Sequence, residues 1–365
     1  MKKSVSLKMN KKRWVLAAVA LVLALALLTL ALVLVLRPPV VYSFEGVSVR
    51  QPAYDYWVAC YKYAYLVSQK DLRIEDTYYG WQQKDETGQT YQELFQKEIE
   101  GAIFRRLVAA ALFDKEGHTL PTADYQAVKD IIEGFAYYDD EEPLKDLKEQ
   151  YGVTKRQITQ IGVWEIKYRA YRYALFGDDL SGVYDDEYKD ICQKRYEETC
   201  SRVKVIYIPY TEDEELAAME NAFADEDLTE ETFIELSNTY NHLPITTEKY
   251  PNGYYFCSAL ENPTQGFDNG LQAAIAELKE VGDFATAENE SKTGRWFVYR
   301  CSLQENGYKE NDIPGFATML ADEIYYQILN KEISKIIEGK GTPLGLLSDV
   351  ATCREYNLVW EIVNK

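Results

Sequence analysis

Val203-Lys204-Val205-Ile206-Tyr207-Ile208 is the stretch on which the fold turns. Its β-branched and aromatic residues read as a strand. Downstream, residues 211–222 and 230–240 have helical patterning, and Tyr254-Tyr255-Phe256 makes a short strand after the turn Pro251–Gly253. Residues 268–280 read as a helix stopped by Gly282, and Trp296 to Cys301 reads as a closing strand. Residues 202–302 thus form a small α+β unit of about 100 residues, a common domain size.

Upstream the periodicity is helical. Pro52 opens a helix with Tyr54, Trp57, Tyr61 and Tyr65 on one face, preceded by a short extended segment around the turn Glu45–Gly46. Further helices are expected over 91–115, 122–135, from Pro143 to Gly152, from the capping pair Thr154 and Gln157 to Phe176, and over 185–200. Helical character returns from Pro314 to Glu338, with Leu320, Ile324, Ile328 and Ile333 in one stripe, and Tyr356–Val363 reads as a terminal strand. A helix with one apolar stripe must bury it against another element. The expected organisation is therefore a helical domain made from residues 42–201 and completed by 312–365, with the α+β unit 202–302 inserted.

The first 37 residues are different in kind. Trp14 to Leu36 contains 23 residues, of which only Thr29 is polar. About 20 apolar residues cross a bilayer as a helix. Lys11, Lys12 and Arg13 precede the run and only Arg37 follows it. The positive-inside rule puts the N-terminus in the cytoplasm and the rest outside. The run exceeds the usual h-region and lacks a small-x-small site after it, so an uncleaved anchor is expected, with a cleaved signal peptide as the competing reading. This head carries seven basic and no acidic side chains, leaving residues 38–365 with a formal charge of −26 against −19 for the whole chain. So acidic a body excludes nucleic acid as a main partner.

Cofactor chemistry finds no motif. Walker, dinucleotide, zinc-protease and EF-hand spacings are missing from the sequence, and neither a cofactor nor a metal is expected. His118 and His242 lie in polar turns and read as exposed loop residues. The six cysteines (Cys60, Cys192, Cys200, Cys257, Cys301, Cys353) show no compact disulfide spacing and read as buried thiols. The 30 tyrosines are numerous. An apolar body with a polar tip suits a surface that holds varied unfolded segments, but ordinary core packing in a helical domain is the favoured reading, since half-buried aromatics are commonplace.

Several stretches, in order, resemble the parvulin-type extracytoplasmic foldases of the PrsA and SurA kind. Leu147-Lys148-Glu149-Gln150-Tyr151-Gly152-Val153-Thr154 before a long helix is similar to their "LKEQYG(L/V)(S/T)" segment. Arg195-Tyr196 ahead of Val203–Ile208 resembles their helix-to-first-strand junction, and Phe233-Ile234-Glu235-Leu236-Ser237 their "F-x-x-L-A" helix. Asn252-Gly253-Tyr254-Tyr255-Phe256 is similar to the Gly-Gly turn and strand, and Ala274 to Asp283 to the "A-x-x-L-K-x-G-(E/D)" helix.

The resemblance implies a parvulin-like α+β domain within a SurA-like helical chaperone domain, anchored by a transmembrane helix at the membrane of a Gram-positive bacterium. Its clients would be exported, unfolded polypeptides, with a homodimer as the possible assembly. Active parvulins carry a histidine in the first strand and another in a "G-Y-H-I-I" strand; these positions match Tyr207 and Trp296 here. The acidic or thiol residue after the Gly-Gly turn matches Tyr254, with Cys257 as a displaced counterpart. The expectation is therefore a degenerate peptidyl-prolyl isomerase site (Tyr207, Tyr254, Cys257, Trp296) with little or no activity. Client contact is expected at Tyr54, Trp57, Tyr61, Tyr65 and Phe256. Two alternatives stand beside it: an active isomerase with a non-standard site, and a structural envelope protein with one fixed partner.

Overall fold

The computed structural model describes residues 19–26, 38–68, 75, 77–138, 143–224, 228–243, 250–311 and 313–337. Within this range the protein is a mostly helical α+β chain. It divides into two compact units, one running to Tyr171 and resuming at Glu332, the other spanning Arg172–Lys331. Among the described residues no helix is long and apolar enough to cross a membrane. The apolar run 14–36 lies outside the described residues apart from 19–26, which are helical, and the expected strand 356–363 lies wholly outside them.

The first unit opens with a hairpin, β1 (Val40–Phe44) and β2 (Val47–Arg50), whose turn places Glu45 and Gly46 at positive φ. Helices α1 (Gln51–Ser68), α2 (Tyr78–Trp81), α3 (Tyr91–Lys115), α4 (Thr122–Tyr138) and α5 (Pro143–Tyr151) follow. Helix α6 (Lys155–Phe176) begins at the expected capping pair. The Thr154 N–H donates to Gln157 Oε1 at 2.9 Å, and the Gln157 N–H donates to Thr154 Oγ1 at 3.3 Å. Helix α3 starts the same way, with Thr90 and Glu93 capping each other reciprocally.

The core of this unit is aromatic. Trp57 stacks on Trp164 with ring centroids 5.6 Å apart, and Tyr65 meets Phe95 edge-on at 5.0 Å. Three donors converge on the buried carboxylate of Glu165: the Trp57 indole N–H and the Tyr61 hydroxyl at 3.0 Å each, and Arg106 Nε at 2.5 Å.

The second unit contains α7 (Lys189–Thr199), β3 (Cys200–Pro209), α8 (Asp213–Phe223), α9 (Glu230–Tyr240), β4 (Tyr254–Cys257), α10 (Asn269–Glu277), β5 (Phe284–Glu288), β6 (Gly294–Cys301), α11 (Gly307–Glu310) and most of α12 (Phe316–Ile337). Its strands form one antiparallel sheet in the order β4-β3-β6-β5. Side chains alternate across the sheet. Val203, Val205, Phe256, Trp296, Val298 and Ala285 face α10, while Ile206, Ile208, Phe297 and Tyr299 face Met219, Phe223 and Phe233 of α8 and α9.

Strand β5 is an addition to the sequence reading. Phe-Ala-Thr-Ala-Glu is too rich in small residues to announce itself, and it is a strand because β6 offers an edge to pair with.

Arg202 ties the sheet to its surroundings. Its buried guanidinium donates to Ser302 O at 2.6 Å, to Asn252 O at 2.9 Å, and to both oxygens of Glu230 at 2.6 and 2.8 Å. Such a planar fork satisfies a buried cation without water.

Candidate binding face on the antiparallel sheet

Tyr207 near the end of β3 and Trp296 near the start of β6 are register partners, with ring centroids 5.0 Å apart. Both project onto the α10 side of the sheet, because each lies an even number of residues from Val205 or Val298 on its own strand. Trp296 also pairs with Ala287 across β5, so Tyr207, Trp296 and Ala287 form one row over three strands. Half-buried Leu243, Tyr254 and Phe267 pack against the same core. Tyr254 meets Phe267 edge-on at 5.2 Å and Tyr250 at 4.3 Å. The result is an aromatic-rich face on which Tyr207 and Tyr254 are half-exposed while Trp296 and Phe256 are buried beneath them.

Beyond β4 the free edge of β3 is closed by the turn after α9. Asn241 Oδ1 accepts the Tyr207 N–H at 3.2 Å, and Tyr207 O accepts the His242 N–H at 3.0 Å. This turn holds the Tyr207 backbone and delivers Leu243 to the face. His242 itself is bound through Nε2 to Glu215 at 2.6 Å.

Gly294 makes room for the Tyr207 ring. A Cβ there would lie 2.5 Å from both Ile208 O and the Tyr207 hydroxyl.

The polar atoms of the face are already engaged. The Tyr207 hydroxyl is 3.0 Å from Thr293 Oγ1 and receives Asn289 Nδ2 at 3.4 Å. The Trp296 indole N–H donates to Asp268 Oδ1 at 2.8 Å. Asp268 is the N-cap of α10 and also accepts the N–H groups of Gly270 at 2.9 Å, Leu271 at 3.3 Å and Glu290 at 3.0 Å. Three of these donors converge on Oδ1, and Oδ2 accepts the Glu290 N–H. Burial pushes the Asp268 pKa up, but the hydrogen bonds from Glu290, Trp296, Leu271 and Gly270 more than offset it, and the net shift is downward. Asp268 is thus held in its ionised form, with Oδ1 fully engaged. The Tyr254 hydroxyl moves the other way, pushed up to about 12 by burial and then by Tyr250, so it remains a neutral phenol at physiological pH.

The expected site residues divide accordingly. Tyr207, Trp296, Tyr254 and Phe256 come together on one face. Cys257 does not join them. It follows Phe256 by one residue and so points to the other side of the sheet, where its sulfur lies 3.5 Å from Thr199 Oγ1 and 3.7 Å from the sulfur of Met319.

The expected contact face on α1 is corrected as well. Tyr54, Trp57 and Tyr65 are buried in the core of the first unit, and the hydroxyl of half-buried Tyr61 is committed to Glu165. The face is real but covered by neighbouring helices. Among the described residues, the exposed aromatics of that unit are instead Tyr78, Tyr79 and Tyr125. Sequence reasoning missed Asp268, Phe267, Asn289 and Thr293. Asp268-Asn269-Gly270 at a helix start was the available signal for the first of them.

No protein-family model and no curated protein matches the chain. Among solved structures it is similar to the foldase protein PrsA from Streptococcus pneumoniae, at 16% identity over 72% of this chain and 95% of that one, with a TM-score of 0.21. It is also similar to PrsA from Bacillus subtilis, at 14% identity over 71% and 92% with a TM-score of 0.25. PrsA from Bacillus cereus, described as a peptidylprolyl isomerase, matches at 13% identity over 77% and 97% with a TM-score of 0.22. At these values the functional reading rests on the residues and geometry of this chain.

Proposed function

We propose that the chain is a membrane-anchored extracytoplasmic foldase or chaperone whose α+β unit binds proline- and aromatic-containing segments of exported polypeptides without isomerising them. The observation that carries this reading is the Tyr207–Trp296 pair. The two residues stand where the family resemblance implies histidines, they face each other on an apolar wall, and their polar atoms are bound to Thr293, Asn289 and Asp268. Rotation about an X–Pro bond has a barrier of about 18–20 kcal/mol. Lowering it requires polar groups that bind the twisted amide more tightly than the planar one. The Tyr207 hydroxyl, the Trp296 indole and Asp268 Oδ1 are each already bonded within the protein. Binding there is weak and broad, from apolar and aromatic contact rather than from fixed hydrogen bonds.

The anchor at residues 14–36, the extracytoplasmic placement of the body and the helical domain built from 42–201 and 312–365 belong to the same proposal. Their support is the charge asymmetry around an apolar run and the order of the family-like segments. Client holding is tested by light scattering of a chemically unfolded protein diluted into the full-length chain in detergent. Aggregation should be suppressed, and suppression should weaken several-fold in a Tyr207→Ala/Trp296→Ala variant that retains its circular dichroism. No suppression by the wild type, or equal suppression by the variant, would overturn this assignment of the face. Selective capture of one protein with no effect on unrelated clients would favour a fixed structural partner.

A further inference from the structure

Cys200 opens β3 and Cys257 closes β4, and the two are direct register partners. Antiparallel pairs alternate between hydrogen-bonded and non-hydrogen-bonded positions. The neighbouring pair, Thr199 and Ser258, is hydrogen-bonded through Ser258 N–H to Thr199 O at 2.7 Å, which makes Cys200–Cys257 a non-hydrogen-bonded pair. At such positions opposed Cα atoms are about 4.5 Å apart, within the roughly 4.4–6.8 Å span of disulfides. Register partners also project from the same face of the sheet. Both thiols are free and buried in the structure. No other pair of described cysteines occupies partnered strand positions; Cys301 stands opposite Arg202.

We propose that Cys200 and Cys257 form a cross-strand disulfide that staples β4 to β3. Strand β4 is an edge strand held by four paired residues, and it carries Tyr254 and Phe256 of the aromatic face. The staple would fix that wall of the face at its far end. The oxidant is a small-molecule disulfide. One thiolate attacks a sulfur of the reagent, forming a mixed disulfide and releasing one reagent thiol. The second thiolate then attacks the protein-bound sulfur and releases the other reagent thiol. Two protein thiols are oxidised and one reagent disulfide is reduced to two thiols. In the folded dithiol, burial and the neighbouring Cys257 push the Cys200 thiol up to about 12, so thiolate is scarce there and the bond forms as the strands come together during folding.

The test is to refold the full-length chain in a buffer of reduced and oxidised glutathione, unfold the product in denaturant containing iodoacetamide so that every remaining thiol is alkylated, and map peptides by mass spectrometry without reduction. A linked peptide pair joining Cys200 to Cys257 is expected. Thermal unfolding of the oxidised protein should lie on the order of 5 °C above that of the protein treated with reductant. In Cys257→Ser that difference should vanish and Cys200 should be found alkylated. Recovery of Cys200 and Cys257 as separate alkylated peptides from folded wild-type protein would overturn the proposal. So would a bond from either one to Cys60, Cys192, Cys301 or Cys353.

Discussion

The indole of Trp296 donates to the carboxylate of Asp268 at 2.8 Å, tying the middle of the aromatic face to the first turn of α10. The Trp296 indole N–H is thereby engaged by a helix cap. A double-mutant cycle measures the bond. Trp296→Phe keeps most of the ring and removes the donor, and Asp268→Ala removes the acceptor and the cap. Hydrogen bonds to charged groups contribute about 1.5–3 kcal/mol, and a coupling energy of about 1–2 kcal/mol is expected from urea unfolding of the four proteins.

The same carboxylate makes stability pH-dependent. Its folded-state pKa lies below the unfolded value, so its contribution is fully present above the unfolded pKa and is lost as pH falls through the folded one. Asp268→Asn should therefore be less stable than wild type near neutrality, and the gap should narrow as the solution becomes acid. Urea midpoints measured across that range check it; a gap that is constant or widens in acid would contradict the assigned direction.

Gly294 predicts a steric effect on the face itself. In Gly294→Ala the new methyl would meet Ile208 O and the Tyr207 hydroxyl, each 2.5 Å away. Backbone cannot yield as a flexible side chain can, and a loss of about 1–3 kcal/mol is expected. The Tyr207 ring resonances should shift by NMR, and those of Tyr299 on the opposite side of the sheet much less.

In the first unit the sensitive group is Glu165. Replacing it by Ala strands the Arg106 guanidinium, the Trp57 indole and the Tyr61 hydroxyl without their shared acceptor. Removing one partner of a buried ion pair costs about 3–5 kcal/mol. Glu165→Gln keeps an acceptor oxygen and should cost less, which calorimetry of the two variants resolves.

Local signals were legible where a few neighbouring residues decide the outcome. The Thr154–Gln157 cap, the bounds of α3 and α9 and the β3 strand are written in short stretches of sequence. What depends on distant chain was not. The period of Tyr54, Trp57, Tyr61 and Tyr65 defines a face, but whether solvent or Trp164, Phe95 and Glu165 cover it is decided by other helices.

Cys257 shows the same limit in a strand. Sequence matching uncertain by a single position moves a side chain to the opposite side of the sheet, and only the pairing with Cys200 fixes which side it takes. Strand β5 is visible only through its pairing to β6.

On the function proposed, the Tyr207–Trp296 face binds without catalysing. NMR exchange spectroscopy on a peptide with an aromatic–proline bond, mixed with the full-length chain in detergent, tests it most directly. Uncatalysed exchange takes tens to hundreds of seconds, so any catalysis stands out. The account predicts broadened peptide resonances with an unchanged cis/trans rate, and loss of the broadening in Trp296→Ala. Acceleration of exchange by the wild-type chain that disappears in Tyr207→Phe or Trp296→Ala would contradict it and make the face an isomerase site.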